Sequence, residues 1–146
     1  MFDSILVVCT GNICRSPIDE RFLKQALPEM KISSAGTGAL VGHAADSSAI
    51  QVAEKNGLSL EGHLAQQFSV SLAREYDLIL AMDKTHIEYI GSVAPEIRGK
   101  TMLFGHWLNG KEIPDPYRKS EEAFALVYQL IEKAGLFWVK KLKVSD

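Results

Sequence analysis

The chain has 146 residues, 47% of them hydrophobic and 23% charged, a composition that suits one folded domain with its own core and excludes a disordered chain. Sixteen basic and 18 acidic side chains leave a net charge of −2, which excludes a broad electrostatic footprint for nucleic acid. Two cysteines exclude a disulfide scaffold, no apolar run nears the ~18 residues that cross a membrane, and MFDSILVVC lacks the flanks of a secretory signal, so a reducing cytoplasm is the expected compartment.

In chain order, Ile5-Leu6-Val7-Val8 is an apolar, β-branched run without polar alternation, the pattern of a strand covered on both faces. The segment CTGNICR follows at 9–15, and Ser16-Pro17 then reads as a helix start, with Ser16 as N-cap, Pro17 in the first helical position and Asp19 as a capping-box acid. Ile18, Phe22, Leu23, Ala26 and Leu27 form the apolar stripe of that helix. Weaker strand patterns lie at 31–35, 77–82 and 101–104, and shorter helices at 49–56 and 86–91. Phe124, Val127, Ile131, Ala134 and Trp138 mark a final helix, whose Lys140, Lys141 and Lys143 read as a solvated end. No repeat or linker divides the chain, so residues 1–146 read as one domain. Alternating strands and helices predict an open α/β sheet with right-handed crossovers, in which ligands sit beyond the carboxyl ends of the strands. Cys9 stands at such an end.

The loop from Cys9 to Arg15 is thus wedged between a strand end and a helix N-terminus. Its peptide N–H groups, those of Thr10, Gly11, Asn12, Ile13 and Cys14, can turn inward to form an anion nest, and the helix dipole adds to the same field. That field favours the thiolate of Cys9, the nucleophilic form. Arg15 supplies a planar fork able to grip two oxygens of a phosphate-sized anion. Cys14 fits a packing role and a redox role equally; a second thiol in one loop could trap a sulfenic acid formed on Cys9 as a Cys9–Cys14 disulfide. The segment is not a Walker loop, which would need a glycine-lysine pair.

Asp115 lies between Pro114 and Pro116, which hold its carboxyl group in a defined extended turn. The prolines alone could explain the arrangement, yet expulsion of a phenolate, whose conjugate acid has a pKa of ~10, is eased by an acid on the leaving oxygen. Tyr117 could stack on a substrate ring or be an idle surface tyrosine. His43, His86 and His106 show no metal-ligand spacing, and no metal or cofactor is expected. His106-Trp107 reads as a packing or capping pair, and His63 as a loop or core histidine.

CTGNICRSP near the N-terminus and IPDPYRKS near the C-terminus, in this order and separation, resemble the paired motifs of the low-molecular-weight protein tyrosine phosphatases. The resemblance runs from residue 5 to the last helix. It implies a three-layer α/β fold on a four-stranded parallel sheet, and hydrolysis of phosphotyrosine through a phosphocysteine, with Cys9 as nucleophile, Arg15 as clamp and Asp115 as general acid and base. It also implies that Asn12 and Ser16 organise the loop and the thiolate, with Ser34 and His63 supporting Asn12. Departures from the family pattern bear on substrate choice: Leu40 stands at a wall position where many relatives carry an aromatic residue, Gln66 replaces an arginine, and Asp19 replaces a small residue. The GALVG and MLFGHW segments and the single tyrosine of DPYRKS look most like the bacterial branch that works opposite tyrosine autokinases of capsule or exopolysaccharide export. The implied partner is the phosphorylated C-terminal tail of such a kinase. Three rivals share parts of the pattern. Arsenate reductase needs relay thiols, and no cysteine follows Cys14; a phosphocysteine sugar-transport carrier does not need Arg15 and Asp115; a phosphotyrosine-binding module has no use for a nucleophile and an acid.

Overall fold

The computed structural model describes residues 2–143. Strands β1 (Ser4–Cys9), β2 (Lys31–Gly36), β3 (Leu78–Ala81) and β4 (Thr101–Leu103) form one sheet in the order β2-β1-β3-β4, and every pairing is parallel. Helices α1 (Arg15–Ala26), α2 (Ser47–Lys55), α3 (Val70–Ala73), α4 (Lys84–Val93) and α5 (Glu121–Lys143) flank it, the three-layer α/β arrangement that the alternation predicts. Every residue of β1 is buried, as its unbroken apolar run requires. The strand period of two divides the core: Ile5, Val7 and Cys9 join Ile18, Leu23, Val52, Phe124 and Ile131 of α1, α2 and α5. Leu6 and Val8 join Phe68, Ala73, Ile79 and Ile90 on the opposite face. Among the described residues no helix is long and apolar enough to cross a membrane.

The strand order positions the site. The chain steps outward from β1 to β2, then crosses back to β3 and continues to β4, so connections diverge between the carboxyl ends of β1 and β3. The loop after β1 opens into that crevice. β2 ends beside it at Gly36, where a Cβ would lie 2.2 Å from the Thr10 carbonyl oxygen; only glycine allows the approach.

The helix-start reading is corrected. α1 begins at Arg15, with Cys14 in the cap position and no side-chain cap, so Ser16 is not the N-cap and Pro17 is not the first helical residue. Both lie in the first turn, where proline's missing N–H has no intrahelical partner to lose. Nor is Asp19 a capping acid: it is wholly buried, and neither carboxyl oxygen finds a hydrogen-bond partner among the described residues. The elements missed from the sequence, α3 and the 3-10 turn Pro95–Lys100, are too short to show a periodicity.

Burial, reinforced by the neighbouring Glu20, pushes the Asp19 carboxyl well above the usual range. A carboxyl whose folded pKa exceeds its unfolded value of ~3.9 binds more protons when folded, so stability is greatest below pH 4 on this account and falls as pH rises through the folded value. Asp19→Ala removes an unpartnered buried polar group and raises stability at neutral pH by about 1–3 kcal/mol. Urea unfolding of parent and variant between pH 4.5 and 8 checks this: the parent loses stability relative to the variant as pH rises. Parallel pH profiles would mean that Asp19 is solvated.

Candidate active site

Five successive carbonyls of the loop are tied outward. Those of Cys9, Thr10, Gly11 and Ile13 accept backbone N–H groups from Thr37, Gly38, Leu40 and Asp46 at 2.9, 3.0, 3.1 and 2.8 Å, and that of Asn12 accepts from His63 Nε2 at 2.6 Å. In a trans peptide the N–H points opposite the carbonyl, so the amides of residues 10–14 face the other way, into the loop. No acceptor among the described residues takes the N–H groups of residues 11–14. They form a nest for an anion, fixed from five places at once.

Asn12 organises the interior of this turn. Its backbone adopts φ 59°, a left-handed conformation that asparagine tolerates better than most residues. Its Oδ1 accepts the Gln66 backbone N–H at 2.9 Å, which sets the amide orientation, and its Nδ2 donates to Ser16 Oγ at 2.7 Å and Ser34 Oγ at 2.9 Å. Each serine oxygen therefore spends a lone pair on Asn12 and keeps its own proton to give. Ser34 gives it to the buried Glu20 Oε1 at 2.6 Å. Ser16 Oγ lies 2.9 Å from Cys9 Sγ, and its proton is free to turn toward the sulfur, the arrangement a thiolate would accept. Gln66 Nε2 also donates to the Ser34 carbonyl at 2.9 Å. Gln66, read from the sequence as a substrate-affinity position, braces the loop from behind.

Arg15 is 3% exposed, and its guanidinium is held on several sides. Nη1 donates to Asp83 Oδ2 at 3.1 Å and to the Ile113 carbonyl at 2.9 Å, while Nη2 reaches Thr10 Oγ1 at 3.4 Å and stands 3.8 Å from Asp115 Oδ2. Asp83 caps α4 by accepting the N–H groups of Thr85 and His86. Burial opposes its charge, but the Thr85 hydroxyl, His86 and Arg15 outweigh burial and hold the carboxyl below its ordinary range. His86 Nδ1 accepts the Asp83 N–H at 3.2 Å, completing a capping box, and its Nε2 lies 2.9 Å from Thr10 Oγ1. Burial takes the His86 pKa down to about 4, against the pull of Asp83, so the ring is neutral near pH 7.

The carboxyl group of Asp115 is half exposed, and its Oδ1 accepts the Tyr117 N–H at 3.0 Å, closing a turn around Pro116. Cys9, Thr10, Gly11, Ile13, Cys14, Arg15, Gly38, Leu40, Asp115 and Tyr117 line one cleft of about 190 Å³. Leu40 and Tyr117 stand half exposed on its rim. The structure thus gathers the expected residues around one point, with Asn12, Ser16, Ser34 and His63 behind it. Asp83, His86 and Glu20 were not singled out as site residues. An aspartate three residues before a histidine, directly after a strand pattern, is a capping signal, but nothing in it shows that the same carboxylate would meet Arg15.

Cys9 and Cys14 are both free thiols. Burial, followed by the charges of Asp46 and Cys9, pushes the Cys14 thiol far up. Trapping a sulfenic acid on Cys9 requires the Cys14 thiol to give up its proton.

The sequence pattern of the family described as "Low molecular weight phosphotyrosine protein phosphatase" matches residues 4–145. A "Putative low molecular weight protein-tyrosine-phosphatase" of Klebsiella pneumoniae is 66% identical over 143 residues, 98% of this chain and 99% of the relative. The low molecular weight protein-tyrosine-phosphatase Wzb of Escherichia coli K12 is 61% identical over 146 residues, covering 100% of this chain and 99% of its own. The crystal structure of the tyrosine phosphatase Wzb from Escherichia coli K30 in complex with sulphate superposes with a TM-score of 0.96 at 66% identity, over 97% of this chain and 99% of that one.

Proposed function

Because this chain belongs to the low molecular weight phosphotyrosine protein phosphatase family, we propose that it hydrolyses phosphotyrosine in two steps at the cleft below Leu40 and Tyr117. The observation that carries the reading is the outward tethering of five loop carbonyls around Cys9, which leaves an inward ring of donors for three phosphoryl oxygens. In the first step the Cys9 thiolate attacks phosphorus, the bond to the aryl oxygen breaks, and protonated Asp115 gives its proton to the departing oxygen. In the second, the Asp115 carboxylate takes a proton from a water whose oxygen attacks phosphorus. The S–P bond breaks, phosphate leaves, and the thiolate and the protonated acid are restored. Arg15 and the loop amides balance the charge on the equatorial oxygens throughout, supplying by side chain and backbone the positive field that phosphoryl transfer needs. Asp83 and the Ile113 carbonyl aim the guanidinium.

The partner that fits is a phosphotyrosine at the end of a mobile segment, since the cleft is small and its two rim residues are half exposed. The GALVG, MLFGHW and DPYRKS segments support a tyrosine autokinase tail as that segment. Phosphate release from an aryl phosphate and from a phosphotyrosyl peptide, measured with a chelator present, tests the chemistry. Release at an undiminished rate is expected; loss of activity on chelation, or none from either ester, would overturn it.

A further inference from the structure

The hydroxyl of Thr10 is held in one role by its neighbours. His86 Nδ1 accepts the Asp83 N–H at 3.2 Å, so the ring proton of the neutral imidazole sits on Nε2, which donates to Thr10 Oγ1 at 2.9 Å. Arg15 Nη2 approaches the same oxygen at 3.4 Å. Both lone pairs of the hydroxyl thus face nitrogen donors, while its own proton has no acceptor among the described residues. Thr10 is exposed and lines the cleft with Cys9, Arg15 and Asp115. A hydroxyl that can only donate, opening on a cleft built for an anion, has one kind of partner there.

We infer that the Thr10 side chain donates a further hydrogen bond to an oxygen of the bound phosphoryl group, beyond the loop amides and the arginine, and that His86 is the positioning residue that turns it into a donor. This rests on the reading of residues 9–15 as a phosphate loop. The His86 ring is buried and reaches the anion's oxygens through the Thr10 hydroxyl, not directly.

Alkylation of Cys9 by iodoacetamide, localised by mass spectrometry, separates the hydroxyl from the loop. The rate without phosphate reports the thiol and the loop geometry, and the concentration of inorganic phosphate that halves this rate reports affinity for the anion. In Thr10→Val the unprotected rate stays within about twofold of the parent, and the half-protecting phosphate concentration rises roughly tenfold or more, the worth of a hydrogen bond to a charged group. Thr10→Ser restores the parent value, and Thr10→Ala repeats the loss should valine disturb the packing. Unchanged protection in the hydroxyl-free variants would overturn the contact. An unprotected rate altered as much as the protection, or failure of serine to rescue, would make Thr10 a loop brace only. Absence of phosphate protection in the parent would instead overturn the phosphate-loop reading and this inference with it.

Discussion

Cys9→Ser turns over aryl phosphates at least about 10³-fold more slowly than the parent while still binding phosphate or vanadate. The loss is chemical. A serine hydroxyl at this position has no base to take its proton: Ser16 Oγ, 2.9 Å from the sulfur, is a neutral hydroxyl far too weak a base, and the Arg15 guanidinium offers no acceptor. The binding survives because the anion nest is made by backbone amides whose carbonyls are fixed by hydrogen bonds from residues 37, 38, 40, 46 and 63, none of which involves the Cys9 sulfur. Steady-state turnover and calorimetric binding of vanadate, measured on the same preparation, check both halves. Near-parental turnover in the variant would remove the thiol from the mechanism, and loss of anion binding as well would mean that the sulfur holds the loop in shape.

Asp115→Asn separates proton transfer from loop geometry. Asparagine retains an Oδ1 that accepts the Tyr117 N–H, and both prolines remain, so the turn keeps its form. What disappears is the proton, together with the weak pairing to Arg15 Nη2 at 3.8 Å. The rate falls by on the order of 10²–10⁴ for phosphotyrosine, whose leaving group has a pKa of ~10. It falls less for nitrophenyl phosphate, whose leaving group departs unaided. The variant therefore shows a steeper dependence of the phosphorylation rate on leaving-group pKa. Single-turnover or burst kinetics are needed, because hydrolysis of the phosphocysteine is common to every ester and masks the difference where it limits turnover. Equal slopes would leave Asp115 a structural residue of the turn.

Much of this arrangement was legible in the chain because its chemistry is local. The buried run 5–8, the thiol at its end and the arginine six positions later lie within one strand, one loop and one helix start, and the loop is read from those alone. The pieces that escaped are those brought in from a distance by the strand order. Asp83 reaches Arg15 because β3 lies beside β1, and Glu20 receives the Ser34 proton because β2 lies beside α1. Neither pairing leaves a trace in spacing. The helix start misled for a related reason: Ser-Pro with an acid behind it matches a local capping pattern, but tertiary contacts claim the Ser16 hydroxyl for Cys9 and bury Asp19. Gln66 was noticed as a departure, yet its place behind Asn12 is visible only in three dimensions.

The outward tethering of the loop also bears on the order in which a ribosome releases the chain. Cys9 and Arg15 emerge before the groups that turn their peptides and side chains into place, which follow at 37–46, then at 63 and 66, then at 83, and finally at 113 and 115. A nascent chain short of those residues carries the nucleophile without the cradle or the acid. Its reactive cysteine is thus held back from phosphoryl chemistry until the whole sheet is available to fold, and competence arrives as one late event rather than growing with length.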